Sequence, residues 1–273
     1  MVTLHNQKNP KKKTARLTAM FLALALGAGT LLSGTATAHE GNQIQRDMIT
    51  QNNAVTQEAL DHAMFTAIQH GSAEEVEVWL HRGANPNAVV NSTTGVTGLM
   101  LAAFQGNTEM ARSFLRHGAD INAQNKYDGG TAIMWAVSEG YAALTRLLIK
   151  ENADLSLTMV SKQNVLMVAV FNSQIESLRD LLETKKIDID AQDWDGATAL
   201  IHAVNQESPR MVSLLLAHGA DIDIKNKAGN SPMDIAREYE YKGIIKLLEQ
   251  NEASKQTKTS LRARPSYQSI LPT

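Results

Sequence analysis

Residues 198–221 read TALIHAVNQESPRMVSLLLAHGAD, and the two phrases framing this stretch decide the fold. The closing phrase, Gly219-Ala220-Asp221, also occurs as Gly83-Ala84-Asn85, Gly118-Ala119-Asp120 and Asn152-Ala153-Asp154, with alanines 35, 34 and 67 residues apart. The last interval is two units. The skipped one is degenerate: Ile187-Asp188-Ile189-Asp190-Ala191 parallels Ala119-Asp120-Ile121-Asn122-Ala123. The opening phrase, Thr198-Ala199-Leu200-Ile201-His202-Ala203, has four relatives. They are Thr97-Gly98-Leu99-Met100-Leu101-Ala102, Thr131-Ala132-Ile133-Met134-Trp135-Ala136, Asn164-Val165-Leu166-Met167-Val168-Ala169 and Ser231-Pro232-Met233-Asp234-Ile235-Ala236. Their starts are 34, 33, 34 and 33 residues apart. Two independent markers on one period identify a repeat architecture.

Each unit reads as helix, turn, helix and extended loop. The second helix follows a glycine or polar break. Ser72 with Glu75 fits a capping box, and Ser208 with Pro209 fits an N-cap followed by proline at the first helical position. Val212, Leu215 and Leu216 recur at helical spacing, which gives one buried stripe. Gly83, Gly118 and Gly219 stand where a left-handed residue ends the helix, and Asn152 tolerates that conformation too. Lys186, the expected counterpart in the degenerate unit, tolerates it poorly.

The sequence resembles ankyrin repeats, whose unit is a β-turn plus two helices with a T-P-L-H-x-A phrase every 33 residues. The resemblance covers residues 58–250 and implies an all-α repeat solenoid of about six units: 58–90, 91–124, 125–157, 158–191, 192–224 and 225–250. The departures are consistent. The proline survives only as Pro232, and the histidine is replaced by Met100, Met134, Met167, Ile201 or Asp234. Apolar packing should take over from the lost polar contact. The first and last units look like caps with a polar outer face.

Before the repeats, residues 1–16 carry five basic residues and no acid, and 17–32 are almost wholly apolar. Ala36-Thr37-Ala38 follows, so 1–38 reads as a signal peptide cleaved after Ala38. A 16-residue apolar run is short for a membrane span. Thr35 stands where a lipoprotein box would need cysteine, and there is no cysteine anywhere in the chain. The expectation is therefore a periplasmic protein with no stable membrane anchor, no disulfide and no thiolate-based metal site. Residues 39–57 form a polar lead, and 251–273 read as a disordered basic tail.

The overall net charge of −2 hides a body at 39–250 with 17 basic and 27 acidic residues, a net of −10. Phosphate backbones need clustered Lys and Arg, so no nucleic-acid partner is expected.

The family generally binds other proteins through hairpin tips and a concave face. Alignment of the units puts Thr93, Tyr127, Val160, Trp194 and Ala228 in one column at the tips. Tyr127, Val160 and Trp194 are candidate partner-binding residues, since exposed aromatics at an interface are typical anchors. A second column runs Phe104, Ser138, Phe171, Asn205 and Glu238, and Phe104 and Phe171 are candidates for the groove. Local packing explains both columns equally well. Trp135, beside Leu101, Val168 and Ile235 of other units, is read as core, and His202 falls on the same column.

No nucleophile elbow, phosphate loop, dinucleotide fingerprint or H-E-x-x-H motif occurs, so no catalytic residue, cofactor or metal site is expected. His81, His117 and His218 sit at the ends of second helices, where a cation suits the helix dipole. Three roles remain on sequence grounds: a scaffold for a periplasmic protein, an immunity-type inhibitor of a periplasm-acting toxin, and an enzyme with a hidden site. The last would need a pocket of clustered, perturbed titratable groups.

Overall fold

The computed structural model describes residues 56–262, with side chains through Lys255. The expected signal peptide, its cleavage site and residues 263–273 lie outside the described residues. Among the described residues twelve α-helices fall into six pairs: α1 (Gln57–Gln69) with α2 (Ala73–His81), α3 (Gly98–Gln105) with α4 (Thr108–Arg116), α5 (Ala132–Glu139) with α6 (Ala142–Lys150), α7 (Val165–Phe171) with α8 (Ile175–Glu183), α9 (Ala199–Asn205) with α10 (Pro209–Ala217), and α11 (Pro232–Glu238) with α12 (Lys242–Arg262). The fold class is all-α, as expected. Among the described residues the extended loops contribute only one isolated antiparallel bridge, Val89 with Thr97.

The chain divides into two compact units at Asp154–Leu155. In the first, α1, α3 and α5 stack as one layer and α2, α4 and α6 as another; in the second, α7, α9 and α11 stack beside α8, α10 and α12. The opening phrase of each repeat builds the layer contact. Its leucine-type position points inward at Leu99, Ile133, Leu166 and Leu200, and its second alanine is closed off at Ala102, Ala136, Ala169, Ala203 and Ala236. Alanine there lets neighbouring first helices approach. The residues that replace the family histidine behave as predicted: Met100, Met134, Met167 and Ile201 are buried. Each such side chain contributes about 1.5–3 kcal/mol by leaving water.

Helix starts follow the same phrase. The side chains of Thr97, Asn164, Thr198 and Ser231 each accept the backbone N–H three residues on. At Ser231 the bond is reciprocated by Asp234, a full capping box, so this repeat's substitute for the family histidine becomes part of a helix cap. Thr131 is the exception: its buried hydroxyl has no hydrogen-bond partner.

Four expectations need correction. Ser72 accepts the Glu75 N–H, but the return bond of a capping box is not made. Ser208 and Pro209 do take the N-cap and first helical positions as expected, although the Ser208 hydroxyl makes no cap bond. The left-handed residue of the degenerate unit is Lys185 (φ 53°), not Lys186, because α8 already stops at Glu183 with Thr184 as its cap. Trp135, Leu101 and His202 are half-buried rather than core, although Val168 and Ile235 on that column are buried. One residue is a 100° step around a helix, so the position before each inward alanine reaches only the margin of the core. Lastly, residues 251–262 are helical: α12 runs through to Arg262. That segment is polar, but it contains neither proline nor glycine to stop the preceding helix.

Candidate protein-binding surface

The hairpin tips are built from hydrogen-bonded turns, and the tip residues fall where the repeat register puts them. In the first unit Asn125 is buried and its Oδ1 accepts the N–H of Tyr127 and of Asp128. Lys126 N donates to Thr94 O at 2.7 Å, tying this tip to the preceding one. In the second unit Asp193 plays the part of Asn125, accepting from Asp195 N and Ala197 N, while Trp194 N donates to Ser161 O at 3.1 Å. The backbones of these tips are thereby fixed, and the side chains between them face outward.

Thr93, Tyr127, Val160, Trp194 and Ala228 are all exposed. Tyr127, Val160 and Trp194 keep 52, 57 and 55% of their surface open. Within the second unit the bond from Trp194 to Ser161 sets Val160 and Trp194 on adjoining tips. An indole and an isopropyl group are thereby left in water on hydrogen-bonded turns.

Phe104 and Phe171 are held differently. Phe104 is half-buried and meets Trp135 edge-on, with centroids 6.0 Å apart. Phe171 is 39% exposed and lies over the His202 ring at 4.3 Å. Both therefore pack against the first helix of the next repeat, and only Phe171 offers substantial free surface. Tyr239 is exposed at 58%, and its ring stacks on Tyr241. The polar run around it in sequence conceals it.

His202 is engaged from two sides. Its Nε2–H donates to Asp193 Oδ2 at 2.8 Å beneath Phe171. Burial pushes the imidazole below its ordinary value, and Asp193 opposes this more weakly. The pair joins hairpin to helix within one repeat. A cavity of about 670 Å³ exists in the same unit, lined by Leu181, Leu182, Ile187 and Ile189 with Lys185 and His218 on its wall. Asp193 and His202 do not line it, so the cavity and the perturbed histidine do not combine into one reactive site.

The structure also brings together three residues that the sequence reading kept apart. Glu77 Oε1 is 3.2 Å from His81 Nε2, and the His81 and His117 rings meet edge-on at 4.8 Å. The Ser113 hydroxyl foremost, and Arg116 more weakly, hold the Glu77 carboxyl below its ordinary range against the opposing effect of burial. The signal was available: His81 and His117 both stand at the ends of second helices in consecutive repeats, and Glu77 is one helical turn before His81.

A family model described as Ankyrin repeats (3 copies) matches residues 63–159 and 166–259. The chain belongs to the ankyrin-repeat family. The crystal structure of the ankyrin-repeat protein EF0377 is similar at a TM-score of 0.64 and 30% identity, covering 70% of this chain and 98% of that one. The putative ankyrin repeat protein YahD of Escherichia coli is 25% identical over 67% of this chain and 92% of its own length. Palmitoyltransferase AKR1 of Lachancea kluyveri is 26% identical over 81% of this chain, but the match covers only 30% of that protein. The chain spans less than a third of the length of the first curated relatives it matches. Ankyrin repeats are protein-binding scaffolds, and typically not themselves catalytic.

Proposed function

We propose that this ankyrin-repeat chain is a non-catalytic binding protein of the periplasm whose contact residues are the exposed tips Tyr127, Val160 and Trp194. The observation that carries the reading is the Val160–Trp194 pair. Each residue is more than half exposed, and the adjoining tips are joined through the Trp194 amide and the Ser161 carbonyl. Rigid amphipathic side chains presented this way lose little conformational freedom on binding. Phe171 extends the apolar surface toward the helical face. Export rests on the basic n-region, the apolar run at 17–32 and the Ala36-Thr37-Ala38 site.

Two experiments test this. Cell fractionation with N-terminal sequencing should recover a periplasmic chain starting at His39; an uncleaved cytoplasmic chain would overturn the location. Affinity capture with wild type and with Tyr127→Ala/Trp194→Ala should retain a partner on the first and lose it on the second. Equal recovery would remove these residues from the interface.

The net charge of −10 over residues 39–250 favours a basic partner surface. An inhibitor of a periplasm-acting toxin with a basic cleft fits that charge. Such a role requires that deletion sensitise the cell to toxin-bearing neighbours.

A further inference from the structure

The cluster on α2 and α4 lies in the first unit and takes no part in the tip surface. Glu77 and His81 are one turn apart on α2, so they share a face. His117 caps α4, which packs directly against α2. One donor atom from each of the three lies within 4.8 Å of the others. Two imidazoles and one carboxylate form the ligand set that late first-row divalent cations prefer, with a fourth position open to solvent.

The details agree with that chemistry. His117 Nδ1 sits 2.9 Å from Ser113 O, and a carbonyl can only accept. Nδ1 therefore carries the proton, which leaves Nε2 as the ring's lone-pair donor. A histidine ligand usually has its second nitrogen bonded in this way. Arg116 Nη2 bonds Glu77 Oε2 at 3.1 Å and Ser113 Oγ at 3.3 Å, which orients the carboxylate and leaves Oε1 toward His81. The 3.2 Å between Oε1 and His81 Nε2 compares with the roughly 3.4 Å separating tetrahedral ligands on bonds of about 2.0–2.2 Å. His81 is 69% exposed and so can close onto an ion by side-chain rotation. By contrast, His218 makes the same Nδ1 bond to Leu214 O and has no such companions in the cluster.

We infer that Glu77, His81 and His117 bind one divalent transition-metal cation of the Zn(II) type, stapling the second helices of the first two repeats. Two of the three ligands are imidazoles, so the site selects metals with strong imidazole affinity over Mg(II) or Ca(II).

The test uses the full chain, titrated with Zn(II) by calorimetry and with Co(II) by visible absorption, with circular dichroism confirming the fold of each variant. Wild type should bind one equivalent and melt at a higher temperature with Zn(II) present. Loss of even an outer-shell group weakens metal sites about 10–100-fold, so His81→Ala and His117→Ala should each lose at least that much and lose the thermal shift. His218→Ala should bind as wild type does. Binding that is absent from wild type, or retained by folded His81→Ala and His117→Ala chains, would overturn the site.

Discussion

The backbone N–H of Asp120 donates to Asn87 Oδ1 at 2.6 Å, and the two residues are one repeat apart. The same bond recurs from Asp154 N to Asn122 Oδ1 in the first unit and from Asp221 N to Asp190 Oδ1 in the second. Each acceptor is itself braced, since Asn87 N, Asn122 N and Asp190 N donate to the side chain two residues earlier. The closing phrase thus links repeats through the backbone N–H of its last residue, with the acceptor side chain supplied by the preceding repeat. Asn87 also donates through Nδ2 to Gly118 O. Asn87→Ala removes both bonds and should lower unfolding free energy by about 1 kcal/mol, since the site is exposed. Asn87→Asp keeps the acceptor and should cost less. Urea denaturation that ranks the two in the opposite order would refute the link.

Gly98 stands where the family phrase has proline, and the structure shows what fills the space. The Phe114 ring, fully buried, occupies the volume a Cβ at residue 98 would enter. Most other repeats place leucine at Phe114's position, as at Leu148 and Leu215, and a side chain at Gly98's, as at Ala132 and Ala199. Glycine and phenylalanine are a matched small–large pair. Gly98→Ala alone should destabilise by about 1–3 kcal/mol through overpacking. Adding Phe114→Leu should recover part of that loss, so the coupling in a double-mutant cycle is the decisive number. Additive effects would mean the ring moves aside freely.

Period and class were legible because two separate phrases held one spacing, and each phrase has a mechanical duty: helix start for one, helix end and turn for the other. The tip column was legible for the same reason. What escaped were interactions that depend on which neighbour a side chain meets. Phe104 and Phe171 aligned as one column, but only the contacts to Trp135 and His202 show how far each is covered. The cluster of Glu77, His81 and His117 needed helix packing to join residues on two helices. The stretch 251–262 is polar yet helical, because polarity alone does not break a helix already nucleated upstream.

Thr131 and Thr198 offer a controlled pair. Both are buried N-caps of first helices with extended backbone, but only Thr198 Oγ1 accepts a bond, from Ile201 N at 3.3 Å. The Thr131 hydroxyl is buried without a partner. Thr198→Val should cost about 1 kcal/mol for the lost cap. Thr131→Val removes an orphaned hydroxyl and should be neutral or stabilising. Equal losses in thermal melts would show that the two caps are alike in solution.

The His202–Asp193 bond predicts a pH dependence with a defined sign. Burial is the larger influence and holds the folded imidazole below its usual 6.5, with Asp193 only partly offsetting it. The unfolded chain therefore takes up a proton at higher pH than the folded one. Between the two pKa values, from about 6.5 downward, the unfolded state holds more protons, so acidification favours unfolding and stability rises with pH. Well above that window both states are neutral at this residue and its contribution to the slope vanishes. The urea midpoint should fall from about pH 7.5 to about pH 5.5. His202→Gln can still donate to Asp193 but does not titrate, so its midpoint should fall less over the same interval. A fall as steep in the variant as in wild type would place the pH sensitivity elsewhere in the chain.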